Sequence, residues 1–341
     1  VKREKGMVYP EIIRVALPYQ LQLPERFYDV PDSSDKTWIG IWQQRAPELA
    51  VLGGALLLLA LLLAQQKWLT AHARRFTVIR VAFLSFTVGF IGWYAQGQLS
   101  IVNMTGLLQS IKEGRSLAFF LYDPMTVCLW GFVAVTFFLW GRATFCGWLC
   151  PFGALQELVS RIARVLRVPQ VRLRTAVDAK LKWIKYVLLA GVLVSALFAP
   201  QLADKLVEIE PFKTAITLYF VRSWPFVVYA GGLLVASAVV YKFFCRYLCP
   251  FGAGLAVLGK LRLFQWLPRR AECGTPCQTC RHRCDYQAIR PSGAIAYDEC
   301  FQCMDCVVIY HSDTQCAPRI LQAKRGVTIP VRAVPADKEV A

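Results

Sequence analysis

Histidine is almost missing from this chain: there are three, His72, His282 and His311, in 341 residues. No two of them pair inside an apolar run, which removes a b-type haem held by two imidazoles. There is no Cys-x2-Cys-His haem attachment, no phosphate-binding loop of the Walker kind and no dinucleotide fingerprint. The chain begins at Val1, with no charged-then-apolar leader, so it reads as the later part of a longer protein. Charged residues are scarce, at 18%, while 56% of the residues are hydrophobic. That balance argues against an ordinary soluble domain and directs attention to membrane spans.

Five apolar runs are present, at about Leu49–Gln65, Phe76–Gly97, Tyr122–Trp140, Trp183–Pro200 and Pro225–Phe244. A span needs about 20 mostly apolar residues, and Trp or Tyr should mark the interfaces. Trp68, Tyr94, Tyr122, Trp140, Trp183, Trp224 and Tyr241 stand near the ends of the runs. The connecting segments set a direction. Gln66–Arg80 carries Lys67, Arg74, Arg75 and Arg80 and no acid; Arg161–Lys185 carries eight bases against Asp178; the stretch after the fifth run adds Lys242, Arg246, Lys260, Arg262, Arg269 and Arg270. The alternate segments are balanced. With five spans all basic segments fall on one side, which is then the cytoplasm, and the chain's N-terminus lies outside. The net charge of +17 is therefore topology, and no nucleic-acid partner is expected.

Two ten-residue elements repeat: FCGWLCPFGA at Phe145–Ala154 and FCRYLCPFGA at Phe244–Ala253. Each follows an odd-numbered span, at its cytoplasmic end. Cys146 with Cys150, and Cys245 with Cys249, stand four apart, which on a helix puts both thiols on one face. Pro151 and Pro250 should bend or restart the helix. Four such thiols could form one four-thiolate metal site, two sites, or redox-active dithiols. Cys128, alone in the third span, reads as a packing residue.

Past residue 271 the composition changes. Cys273, Cys277, Cys280 and Cys284 are followed by Cys300, Cys303, Cys306 and Cys316. Three close thiolates wrap one side of a four-iron cubane, and in two-cluster ferredoxins the fourth comes from the other run. The expected ligand sets are therefore Cys273, Cys277, Cys280 with Cys316, and Cys300, Cys303, Cys306 with Cys284. Arg290–Ile295 should supply the turn and strand between the halves. Zinc would pair four cysteines within each run, but Cys-x2-Cys-x2-Cys on one tight loop suits a cluster better. His282 and His311 read as local hydrogen-bonding residues.

Spans followed by CxxxCP elements and a two-cluster ferredoxin resemble the group that holds the NapH-type quinol dehydrogenase subunit and the oxidase-assembly copper reductases. Within it, Asp123–Thr126 (DPMT), both CPFGA elements and Glu299–Pro318 with its insertion around Tyr310-His311 are most similar to the NosR/NirI type. The resemblance implies a flavin (FMN) domain upstream and absent here, and a role for nitrous oxide reductase or its maturation in denitrifying bacteria. It also implies an inner-membrane location, with quinol among the partners.

The expected fold is thus a mostly α membrane protein with five transmembrane helices and a C-terminal α+β ferredoxin-like domain. Its parts are 1–46, a periplasmic juxtamembrane segment; 47–270, the spans with both CxxxCP repeats; 271–320, the two-cluster domain; and 321–341, a tail. Three functions compete: membrane electron transfer, copper binding or reduction during metal-centre assembly, and redox sensing. All ferredoxin and CxxxCP cysteines fall on the cytoplasmic side in this topology, leaving no centre to carry an electron across a hydrocarbon core of about 30 Å.

Overall fold

The computed structural model describes residues 2–4, 7–9 and 38–325, apart from 98, 113, 115, 116, 142 and 143. The chain divides into two compact units, Val1–Gln43 and Gln44–Ala341. In the first, β1 (Lys2–Glu4) and β2 (Met7–Tyr9) pair antiparallel with Lys2 opposite Tyr9. Helix α1 (Trp38–Gln44) closes this unit, with Trp38 and Trp42 edge to face at 6.4 Å.

The second unit is helical. After α2 (Ala46–Ala64) and α3 (Gln66–Thr70), α4 (Ala73–Phe86) continues as a π-helical stretch to Tyr94. Then come α5 (Ile101–Lys112), α6 (Pro124–Trp140), α7 (Pro151–Val165), α8 (Thr175–Phe198), α9 (Pro200–Val207) and α10 (Trp224–Val239). Short α11 (Phe243–Tyr247) and α12 (Pro250–Leu258) precede the cysteine-rich part. That part carries α13 (Thr279–Arg283), α14 (Asp305–His311) and α15 (Ala317–Arg325). Proline starts many of these helices, because its fixed φ suits the first turn and its missing N–H is not needed there. In the DPMT element, Asp123 caps α6 by accepting the Thr126 N–H at 3.4 Å, with Pro124 following at the first position.

Helices α2, α4, α6, α8 and α10 occupy the five apolar runs and run end to end in alternating directions. One end bears the cysteine-rich part. There Gln66 reaches the Trp266 carbonyl, Trp266 reaches that of Trp140, Lys185 pairs with Glu299 at 2.8 Å, and Tyr241 stacks edge-on against Tyr286. At the far end Arg45 donates to the Ala95 carbonyl, Trp93 to Ala215, and Tyr229 to Ile209. Three helices, Ala46–Ala64, Ala73–Tyr94 and Thr175–Phe198, are long and apolar enough to cross a membrane. Helices α6 and α10, at 17 and 16 residues, fall short of the usual length.

Three expectations need correction. The ferredoxin-like part has no named strand among the described residues; Arg290–Ile295 makes a turn closed by a single bridge, Ile289 to Ile295. Helix α15 runs across the boundary drawn at residue 320, and residues 326–341 of the expected tail lie outside the described ones. The CxxxCP elements do not end at the ferredoxin side. After the first element the chain turns back along the spans: Glu157 of α7 meets Arg80, Ala154 packs on Leu84 and Val88, and Pro151 faces Gly92. Arg80 and Gly92 are about 17 Å apart along a helix rising roughly 1.5 Å per residue or slightly less. Gly92 is needed here, since a Cβ on it would lie 2.8 Å from the Pro151 Cβ.

Candidate functional site

The ferredoxin-like part is riveted to the helices by charge. Glu299 accepts Lys185 Nζ at 2.8 Å, and Asp285 accepts Arg164 at 2.5 Å and Arg172 at 3.0 Å. Tyr286 and Phe301 stack at 4.5 Å, fully buried, in the seam. The His311 ring bonds across the fold rather than locally: its Nδ1 lies 2.7 Å from Thr70 Oγ1, joining α14 to α3. Burial and the nearby Arg319, Arg270 and Lys67 push its imidazole below the usual range.

The cysteines of this part have sulfur neighbours from both runs. Cys303 lies in electrostatic range of Cys284 and Cys306, and Cys306 of Cys300 and Cys284. Cys280 neighbours Cys273 and Cys277. Cys316 is buried at the head of α15. A cavity of about 400 Å³ is lined by Cys280, Cys284, Cys300, Cys303 and Cys306. Burial pushes the Cys303 and Cys306 thiols well up, so as bare thiolates they are costly. Iron held by them would supply the missing positive charge, and this donor set fits a four-iron cluster. Among the described residues no three His, Cys, Asp or Glu side chains close on the ligands of a single ion.

Arg269 stands between the two groups of sulfurs, in electrostatic range of Cys306, Cys280 and Cys273. Its Nε and one terminal nitrogen are buried without a partner. The spacing of cysteines could not reveal it. A cation at this range interacts with a unit charge by about 2–3 kcal/mol at an effective dielectric of about 20. Reduction adds a negative charge, so Arg269 favours the reduced state. Arg269→Gln is expected to lower the cluster midpoints measured by redox titration with electron paramagnetic resonance, leaving iron content unchanged.

The four CxxxCP cysteines, from two repeats about a hundred residues apart in sequence, meet in the interior. The Cys150 thiol hydrogen-bonds to Cys245 with Cys146 in range, and Cys249 is in range of both Cys245 and Cys146. All four are buried and none forms a disulfide. The pairs do not share one helical face, as expected from the spacing. Cys146 lies in a π-helical turn, Phe145–Leu149, and Cys245 in α11. Cys150 and Cys249 instead cap the next helices, with extended backbone, each sulfur accepting an N–H from the glycine three residues on, at 3.4 and 3.2 Å. Pro151 and Pro250 thus restart helices rather than bend them.

Two helix N-termini therefore point at one group of four sulfurs. Gln156 adds a third donor, its Nε2 lying 3.0 Å from Cys245 Sγ, and its own oxygen is held by Ser237 at 2.9 Å. Around the site runs a buried charge group: Arg80 and Lys242 pair with Glu157 at 2.6 and 3.1 Å, all three with no exposure. Lys242 holds a left-handed backbone, φ 50°, and also reaches the Cys146 carbonyl at 3.4 Å. On the far side the buried Glu210 accepts the Ile101 N–H at 3.1 Å and lies in electrostatic range of Cys245 and Cys249. Burial raises its carboxyl to about 8. Cys128 packs against the core.

These features define a membrane-embedded iron–sulfur protein with a second group of cysteine sulfurs inside the helical body. Comparison with known proteins agrees. A family profile described as NosR matches residues 271–327, and one described as a 4Fe-4S binding domain matches twice, at 122–169 and 223–270. The chain is 43% identical over 96% of its length to a regulatory protein NosR of Stutzerimonas stutzeri, covering 46% of that protein. It is 43% identical over 99% of its length to a regulatory protein NosR of Pseudomonas aeruginosa, covering 48%. It is 38% identical over 88% of its length to the protein NirI of Paracoccus denitrificans, covering 44%. The chain belongs to the NosR/NirI family, and it spans about half the length of these curated relatives. No solved structure matches it. Both copies of the 4Fe-4S profile fall on the CxxxCP repeats rather than on the eight-cysteine part, and each copy brings two of the interior sulfurs.

Proposed function

We propose that this chain is the membrane electron-transfer part of a NosR-type protein. Electrons from quinol or a cytoplasmic donor enter a ferredoxin-like domain with clusters at Cys273, Cys277, Cys280, Cys316 and at Cys300, Cys303, Cys306, Cys284. They pass through a third, metal-holding centre at Cys146, Cys150, Cys245 and Cys249 toward the periplasm. There they serve nitrous oxide reductase, sustaining its activity or its maturation during denitrification. In this reading α2, α4, α6, α8 and α10 are five spans of the bacterial inner membrane, with the short α6 and α10 completed by flanking turns. The ferredoxin-like part is cytoplasmic, the chain's N-terminus periplasmic, and the FMN belongs to an upstream domain.

One observation carries the reading: the four CxxxCP sulfurs meet inside the helical body, between the ferredoxin-like part and the far end. A core of about 30 Å needs such an intermediate stop. The test is iron and acid-labile sulfide on anaerobically purified protein, with spectra taken during a reductive titration. About eight irons belong to the two ferredoxin-type clusters, at four each. Metal beyond these is expected, lost when Cys146, Cys150, Cys245 and Cys249 all become Ser. An unchanged metal content in that variant removes the third centre.

The same sulfurs favour a second reading, copper binding or reduction for assembly of the target enzyme. Copper bound equally well by the four-serine variant would end it. Redox sensing of target-gene expression, the sense of the relatives' name, ends if cluster-ligand variants leave transcription unaltered.

A further inference from the structure

The ferredoxin loop and the first CxxxCP element touch through their backbones. A Cβ at Gly147 would lie 2.1 Å from the Phe301 carbonyl oxygen, so only glycine allows the approach. Gly147 lies between Cys146 and Cys150, and Phe301 between Cys300 and Cys303. Two hydrogen bonds complete a continuous path. The Gln302 N–H donates to Cys300 Sγ at 3.3 Å, and the Gln302 carbonyl accepts Trp148 Nε1–H at 3.2 Å. From the indole, covalent bonds lead to Cys146 on one side and Cys150 on the other.

We infer that Trp148, hydrogen-bonded to the Gln302 backbone, is the electron contact between the ferredoxin loop and the four-sulfur centre. The inference rests on the proposed third centre and adds the route to it. Electron coupling decays less steeply along bonds and hydrogen bonds than across a gap, and here the gap is bridged through the backbone N–H and C=O of one residue, Gln302. One electron crosses at a time: a cluster ligated by Cys300 is oxidised by one unit, and the metal at the CxxxCP sulfurs is reduced by one. Trp148 ends as it began and moves no proton.

Its surroundings hold it in one pose. Trp148 is fully buried, with the Arg80 guanidinium 4.4 Å from the ring centre and Phe83 edge-on at 5.8 Å. Its carbonyl accepts Thr87 Oγ1–H at 2.9 Å. Gln302 is braced in turn, its side-chain oxygen meeting Thr144 Oγ1 at 3.2 Å and its amide donating to the Trp140 carbonyl. Such fixation is what a tunnelling contact requires, because coupling falls with every fluctuation in distance.

The test uses the full chain in lipid nanodiscs under anaerobic conditions. A flash-activated deazaflavin reduces the clusters, and their reoxidation is followed as electrons pass to the CxxxCP centre. Wild type shows this phase. If the four-serine variant shows it equally, the third centre itself falls. Trp148→Phe keeps the ring but removes the Nε1–H, and it should slow the phase at least several-fold. Trp93→Phe, which removes an indole N–H bond to the Ala215 carbonyl at the far end and leaves the Trp148 contact intact, should match wild type. The phase is first order within loaded molecules, so partial loss of iron in Trp148→Phe lowers its amplitude but not its rate constant. A wild-type rate constant in Trp148→Phe, with the four-serine variant inactive, overturns the inference alone. So does a slowing accompanied by a shifted cluster midpoint, since driving force would then explain it.

Discussion

Serine at Cys303 should bring the iron of the ferredoxin-like part from about eight to about four per chain, since each cubane holds four. The same loss, with the same surviving spectrum, is expected for Cys284→Ser, which comes from the other run of cysteines. Cys316→Ser and Cys277→Ser should instead remove the other cluster. Crossed pairing is the expectation under test: Cys303 and Cys306 are in electrostatic range of Cys284, and Cys306 of Cys280 as well. Iron analysis and electron paramagnetic resonance of the four single variants decide it. If Cys284→Ser leaves the spectrum that Cys277→Ser also leaves, the sets are not crossed, and each run closes its own site as zinc-type ligation would have it.

The second large effect lies in the buried charge group. Glu157 pairs with Arg80 and Lys242, none of the three meeting solvent, and with the partly exposed Arg161 at 3.1 Å. Glu157→Ala leaves two buried cations facing each other, and removing one partner of such a group costs roughly 3–5 kcal/mol. In detergent the apparent unfolding midpoint should fall by about 5–10 °C. The triple change Arg80→Met, Glu157→Leu, Lys242→Met should recover most of that loss, because an apolar set of like volume carries no desolvation cost. Thermal scans of both variants check this. Equal destabilisation by the triple change would mean that the charges, not only their balance, hold α7 against α4.

The same group shows what can and cannot be read from the chain. The five apolar runs, the proline-started helices and the cysteine spacings are local patterns, and helices do form over all five runs. Arg80, Lys185, Lys242 and Arg246 were counted among the basic connecting residues that orient the spans. All four are buried, and each is bound to an acid, Glu157, Glu299, Glu157 and Asp178 respectively. Composition alone cannot separate a solvated loop lysine from one paired inside. The CxxxCP spacing likewise reads as one helical face, because the turn that breaks it depends on a left-handed Lys242 and on a capping sulfur. Those are tertiary consequences. Glu210, Gln156 and Trp148 carry no spacing signal; only their neighbours across the fold give them a role.

The paired sulfur caps also bear on how the protein is made. Cys146 and Cys150 leave the ribosome about a hundred residues before Cys245 and Cys249. Until α11 and α12 have entered the bilayer, the first pair heads its half-helix with no counterpart, and the binding site does not exist. If the four sulfurs hold metal as proposed, metal supplied early would meet two thiols, and metal supplied after α12 would meet four. Limiting insertion of the last two helices would then limit loading, whatever the supply of metal.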